Sequence, residues 1–160
     1  MKLKASTDYG IRAVVYLAIK DRVCSSKEIS EDMAIPRDYL IQLALRLRDA
    51  GIIITRPGKN GGYELAKKPE KITLAHLINA FDVPERDTRH PLVKRKTNRE
   101  AVTSMRFAHK VILESFNSYC SSITIKDLID GCTTENGSHI IVAEALEKEG
   151  ARLKKKYANE

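Results

Sequence analysis

Between two strand-like runs, Ile52-Ile53-Ile54 and Tyr63-Glu64-Leu65, the chain carries Thr55-Arg56-Pro57-Gly58-Lys59-Asn60-Gly61-Gly62. No other stretch limits the fold as tightly. Gly and Asn accept positive φ, and apolar residues flank them, so the pattern predicts a β-hairpin. Its tip has little side-chain bulk and offers cations and backbone amides. Such a tip can reach a phosphate or enter a narrow groove. Alone it is equally an ordinary surface hairpin, and the preceding residues decide between the two.

Those residues read as three helices. Ser6 or Thr7 caps the first, and Tyr9, Ile11, Val14, Val15, Leu17 and Ala18 give it an apolar stripe ending at Asp21-Arg22. Ser25 and Glu28 have capping-box spacing ahead of a short second helix over 27–33. Ala34-Ile35-Pro36 forms the turn, and a third helix runs over about 37–50 to Gly51, a good residue for the position just past a helix end. In that helix Leu40, Leu43, Ala44 and Leu47 share one face. Asp38, Gln42 and Asp49 lie opposite, flanked by Tyr39, Ile41 and Arg46. Helix, short helix, turn, longer helix and hairpin is the order of a winged helix–turn–helix, whose longer helix enters the major groove by its N-terminal end. Arg37, Asp38, Tyr39, Ile41 and Gln42 stand there. Arg and Gln suit base edges, Asp can accept from cytosine, and Tyr suits a phosphate.

Beyond the hairpin, 67–71 is a polar connector, and 73–82 reads as a helix burying Leu74, Leu77, Ile78 and Phe81. Residues 83–96 hold two prolines and end in Lys94-Arg95-Lys96, which predicts a flexible surface segment. Thr97-Asn98-Arg99-Glu100 has the form of a capping box and opens a long helix to about residue 118. Ala101, Met105, Ala108 and Ile112 make one stripe on it, widened by Val111 and Phe116. A helix that long has little of its own chain to pack on, and a second copy would supply the missing surface. A short helix capped at Ser121-Ser122 runs to Ile129, Asp130-Gly131 turns the chain, and a final helix over 138–157 ends in cations that suit its negative pole. The expected fold class is mainly α with a small β-wing. The expected domains are a winged helix–turn–helix over 1–82, a flexible connector over 83–97, and a dimerisation helix with C-terminal helices over 98–160.

Charge agrees with that division. The net charge is +7, and residues 1–68 carry 13 Lys/Arg against 8 Asp/Glu. The excess sits where a phosphate-facing surface is expected. There is no apolar run of transmembrane length and no apolar signal core at the N-terminus, so a cytoplasmic protein off the membrane is expected. Cys24, Cys120 and Cys132 are odd in number and widely spaced, which gives neither a disulfide framework nor a zinc pattern. No nucleophile–base pair, Walker-type glycine loop or metal-ligand cluster points to an enzyme.

Lys4-Ala5-Ser6-Thr7-Asp8-Tyr9-Gly10-Ile11-Arg12-Ala13, Tyr39-Leu40-Ile41-Gln42-Leu43, Leu47-Arg48-Asp49-Ala50-Gly51, Gly58-Lys59-Asn60-Gly61-Gly62-Tyr63 and Ile123-Thr124-Ile125-Lys126-Asp127-Leu128 occur in that order. Over roughly residues 1–130 the chain thereby resembles the winged-helix regulators that include IscR, NsrR and CymR. The resemblance implies a homodimer on an imperfect palindrome of double-stranded DNA, with long helices crossing between subunits. Many such regulators hold an iron–sulfur cluster with three cysteines near the start of the long helix. Here Pro91, Thr97 and Thr103 fall at those positions and Arg106 where a fourth ligand would be, so no cofactor is expected. His90 and His109 lie nearby without thiolates and read as surface or interface residues. Cys120 matches an apolar position and reads as a core thiol. Cys24, next to the Ser25-Ser26 helix start, is the candidate redox residue, because a helix N-terminus lowers a thiol pKa. Ile41 stands where relatives often carry an acid, and Pro57 where they carry the wing arginine, with Arg56 one position earlier.

The reading is a dimeric, sequence-specific DNA-binding regulator acting as a repressor, with a thiol as its redox-responsive group. Phosphate contacts are expected from Lys4, Ser6, Thr7, Tyr39, Lys59 and the Gly61 and Gly62 amides, with Asn60 beside them at the tip. Base reading is expected from Arg37, Asp38, Ile41 and Gln42, with Arg56 probing the minor groove. The alternative is a regulator controlled by a small molecule or a bound metabolic enzyme, the C-terminal half acting as a protein-interaction module.

Overall fold

Local sequence chemistry sets most element boundaries in the computed structural model, which describes residues 4–81, 99–132 and 137–157. Helix α1 (Ala5–Lys20) begins at Lys4, which caps it through its backbone alone. Ser6 and Thr7 therefore sit inside the first turn and do not cap it. Helix α2 (Ser26–Met33) is capped as expected, the Ser25 hydroxyl accepting from the Glu28 N–H at 3.1 Å. Ala34 then takes a left-handed conformation, φ 52°, and starts the turn into α3 (Arg37–Asp49). At the end of α3, Gly51 adopts φ +66°, its N–H bonding Arg48 O while the Ile52 N–H bonds Leu47 O. That pair of bonds is a Schellman motif, and it turns the chain directly into the wing.

The wing is an antiparallel pair, β1 (Ile53–Arg56) and β2 (Gly62–Leu65), with Ile53 opposite Leu65 and Arg56 opposite Gly62. Tyr63 turns its own N–H and C=O away from β1 and exchanges both bonds with Cys24 at 2.9 Å. The segment between α1 and α2 is thus a one-residue third strand that docks the wing on the helices.

Leucine, isoleucine and valine side chains from α1, α2, α3 and β1 close one core, with Val14, Ile29, Leu40 and Leu47 almost fully buried. A 3₁₀ turn (Pro69–Lys71) leads to α4 (Leu74–Phe81), which adds Leu77 and Phe81 to that core. Phe81 lies over Gly10 of α1, so close that a Cβ there would stand 2.1 Å from the ring.

Helix α5 (Arg99–Ser121) meets α4, and the chain then returns to the core through α6 (Ile125–Cys132). Its cap is Thr124, not Ser121 or Ser122: the Thr124 hydroxyl accepts the Asp127 N–H at 3.1 Å, and the Asp127 carboxylate accepts the Thr124 N–H at 2.8 Å. Ile125 is fully buried in the same core as α1. Helix α6 therefore packs with the winged half, although the chain reaches it through the long helix. Helix α7 (Gly137–Tyr157) lies against α5 and α6. The expected connector over 83–97, His90, the Lys94-Arg95-Lys96 run and the capping box beginning at Thr97 lie outside the described residues. No described helix is long and apolar enough to cross a membrane.

Candidate nucleic-acid interface

Three features meet on one side of the winged half. The edge-to-face contact of Tyr39 with Tyr9, centroids 5.8 Å apart, places the start of α3 beside the first turns of α1. Arg12 covers the same Tyr9 ring at 5.4 Å. On the other flank, Arg37 donates from Nε to the Ser26 hydroxyl at 3.3 Å. Its charge also reaches the Tyr63 phenol, whose pKa burial raises and Arg37 partly restores. The N-terminal ends of α1, α2 and α3 and the base of the wing thus border one surface.

On α3 the side facing the core is sealed by Leu40, Leu43, Ala44 and Leu47. Asp38, Ile41 and Gln42 are exposed, as is Arg37. Leu45 stands on the same outward face, one turn beyond Ile41, and 47% of its surface is open. It was absent from the expected contacts. Its spacing of four from Ile41 is the sequence signal that identifies it.

The wing tip is a four-residue turn in which the Gly61 N–H bonds Gly58 O at 2.9 Å, leaving Lys59 and Asn60 exposed at the apex. The Gly61 amide is therefore spent inside the turn. Gly62 faces Arg56 across the ladder, because Tyr63 has turned its own groups to Cys24. The expectation that these two amides bind phosphate fails. Their glycine identity has another cause: a Cβ on Gly61 would meet Arg56 O at 2.2 Å, and one on Gly62 would meet Cys24 O at 2.1 Å. Both permit close backbone approach. Thr7 is a second correction, since it is only 5% exposed and its side chain packs inward. Lys4 is exposed and Ser6 half-buried at the edge of the surface. Arg56 points outward, with Nε 2.7 Å from Glu64 Oε1.

Cys24 departs furthest from expectation. Its thiol is 0% exposed and lies 3.6 Å from Arg22 O. Burial pushes its pKa up, and the Glu28 carboxylate adds to that, against a smaller pull from Arg22 and Lys20. The cap of α2 is made by the Ser25 hydroxyl and not by Cys24. Glu28 itself is held below the usual carboxylate range, chiefly by the Arg22 guanidinium and also by the Tyr16 hydroxyl. Cys120 is buried, as its apolar position implied, and Cys132 is exposed. Iodoacetamide on the native protein is expected to modify Cys132 and to reach Cys24 and Cys120 only in denaturant, read by peptide mass mapping. Native labelling of Cys24 as fast as Cys132 would contradict its burial.

The described residues include only part of the cluster-ligand positions. Thr103 and Arg106 stand exposed on α5 where the resemblance places cluster thiolates, and Cys24 and Cys120 are buried. Among the described residues no group of three His, Cys, Asp or Glu is placed to hold a metal.

Comparison with known proteins agrees with this geometry. The family profile described as "Rrf2: Iron-dependent Transcriptional regulator" matches residues 3–131. The regulator NsrR of Halalkalibacterium halodurans is 36% identical over 80 residues, covering 49% of this chain and 55% of that protein. The chain spans about half the length of that relative. Among solved structures, IscR of T. potens superposes with TM-score 0.64 at 25% identity, covering 82% of this chain and 88% of that one. CymR, the global cysteine regulator of B. subtilis, superposes with TM-score 0.56 at 28% identity, covering 84% and 99%.

Proposed function

The chain belongs to the Rrf2 family of transcriptional regulators, and from that premise we propose that it is a homodimeric, sequence-specific repressor reading an imperfect palindrome. DNA binding and regulation follow from the family, whose members are regulators rather than enzymes. The observation that supports the sequence-specific part of this reading is the open outer face of α3. Asp38, Ile41, Gln42 and Leu45 are exposed there, while the opposite face is sealed. Arg37 and Gln42 supply base-edge donors, Asp38 accepts from cytosine, and Ile41 with Leu45 offers apolar contact to thymine methyls. Lys4, Ser6, Tyr39, Lys59 and Asn60 are the phosphate-side set, and Arg56 is the minor-groove probe.

Selection from a random duplex pool, followed by footprinting, tests the reading. The expected result is a two-fold sequence with half-sites about one helical turn apart and binding that weakens steeply with salt. Replacing thymine by uracil under α3 removes only the methyl and is expected to weaken specific binding by about 1 kcal/mol per contacted base, with Ile41→Ser abolishing the difference. Failure to enrich any sequence would remove specific DNA recognition. Uracil substitution without effect would remove the apolar readout alone.

A groove of about 550 Å³ between α5 and α7, bordered by Ser118, Glu149 and Arg152 and by the exposed apolar Val111 and Leu146, is the place a small-molecule effector would occupy under the second reading. Redox control through Cys24 would first require exposing its buried thiol.

A further inference from the structure

Arg56 and Glu64 occupy the solvent face of the wing as diagonal neighbours, since Arg56 pairs with Gly62 and Glu64 with Ile54. The Arg56 Nε and Nη2 both reach Glu64 Oε1, at 2.7 and 2.5 Å. Glu64 keeps only 25% of its side chain exposed, whereas Arg56 keeps 56%. The carboxylate is thus set at the base of the wing and the guanidinium projects from it. Two of the five guanidinium N–H donors are used, and Nη1 takes no part. Gly62, directly opposite Arg56, adds no side chain that could guide it. Glu64 is therefore the group that orders a long side chain otherwise free among many rotamers.

We propose that Glu64 is a positioning residue that orders Arg56 for the minor groove, so that sequence discrimination beneath the wing depends on both. This rests on the DNA-binding reading. The minor groove separates A·T from G·C chiefly through the guanine N2 amino group and groove width. A pre-ordered guanidinium is sensitive to both, and a loose one finds phosphates on any sequence. Glu64 lowers the net positive charge facing DNA, and in return it holds the guanidinium edge-on.

The test uses full-length protein and the duplex recovered by selection, with the pairs under the wing as A·T, G·C or inosine·C, plus a scrambled duplex. Fluorescence anisotropy is read for wild type, Glu64→Gln, Glu64→Ala, Arg56→Ala and the double variant. Wild type is expected to favour A·T and inosine·C over G·C by roughly 10-fold. Glu64→Ala is expected to lose most of that preference while binding scrambled DNA about two- to five-fold more tightly, because a negative charge has gone. Glu64→Gln, which keeps an acceptor oxygen, retains an intermediate preference. Glu64→Ala adds nothing in the Arg56→Ala background. Glu64→Ala with preference unchanged or increased would make Glu64 a plain competitor for Arg56 and overturn the proposal. Wild type that cannot tell the selected from the scrambled duplex would instead overturn the DNA-reading premise, and the proposal with it.

Discussion

Ile112→Glu is expected to turn the protein into a monomer and to lower its affinity for the full palindrome by roughly 10²–10⁴-fold, while affinity for a single half-site changes little. The reason lies in what α5 leaves uncovered. Met105 is 71% exposed and Ile112 65%, and they stand seven residues apart on one helical stripe. Phe107, Val111 and Leu113 of α5 and Leu146 of α7 are exposed as well. Apolar surface on that scale is what a second copy would cover on the dimer reading. A charge at position 112 costs little in the isolated chain, because nothing covers the residue there. It costs heavily once a second copy packs on it, since an unpaired carboxylate is then buried. Sedimentation velocity reads the mass, and titrations on full and half operators separate association from recognition. An Ile112→Glu protein that remains dimeric would place the interface elsewhere. A large fall in half-site affinity would mean that the change reached the winged half itself.

What the sequence makes legible here is chemistry that acts over a few residues. The Ser25 cap, the Gly51 exit from α3, the apolar face of α3 and the hairpin all follow from local spacing, and the structure contains each. Long-range pairing was not legible. Nothing near Cys24 announces that its backbone will exchange two hydrogen bonds with Tyr63, thirty-nine positions away. Once it does, the thiol is buried and its pKa moves opposite to the local expectation. Thr7 fails for a related reason: a hydroxyl in the first turn of a helix reads as surface chemistry until the packing around α1 closes over it. Thr124 displaces Ser121 and Ser122 as cap because Ile125 N–H and Ile123 O pair with the chain on either side of Thr73, which fixes where α6 can begin.

Among the residues proposed to face DNA, side-chain exposure reads better than backbone availability. Arg37, Asp38, Ile41 and Gln42 are where helical periodicity puts them, and Leu45 could have been added on the same periodicity. The wing glycines suggested free amides, yet amides in a tight hairpin satisfy one another first.

Gly62→Ala is the substitution expected to separate the wing from the helices. Its Cβ would stand 2.1 Å from Cys24 O and 2.6 Å from Cys24 C, both backbone atoms that cannot rotate aside. The strain can be relieved only by moving β2 away from the α1–α2 segment, which breaks the two Cys24–Tyr63 hydrogen bonds. Together these effects should cost about 2–4 kcal/mol. Cys24 belongs to the core and Tyr63 packs against it, but the bridge itself joins no two helices, so helix content and, on the dimer reading, mass should be retained at moderate temperature. Specific DNA affinity should fall by at least roughly 30-fold, because Arg56 and Lys59 are no longer held at a fixed angle to α3. One further consequence distinguishes this from general unfolding. Displacing Tyr63 uncovers Cys24 but not Cys120, so iodoacetamide should now modify Cys24 on the native variant while Cys120 stays protected. Equal labelling of both buried thiols would mean that the whole fold had loosened. Wild-type DNA binding with Cys24 still protected would mean that the wing tolerates a side chain at position 62, and that its docking on Cys24 does not govern recognition.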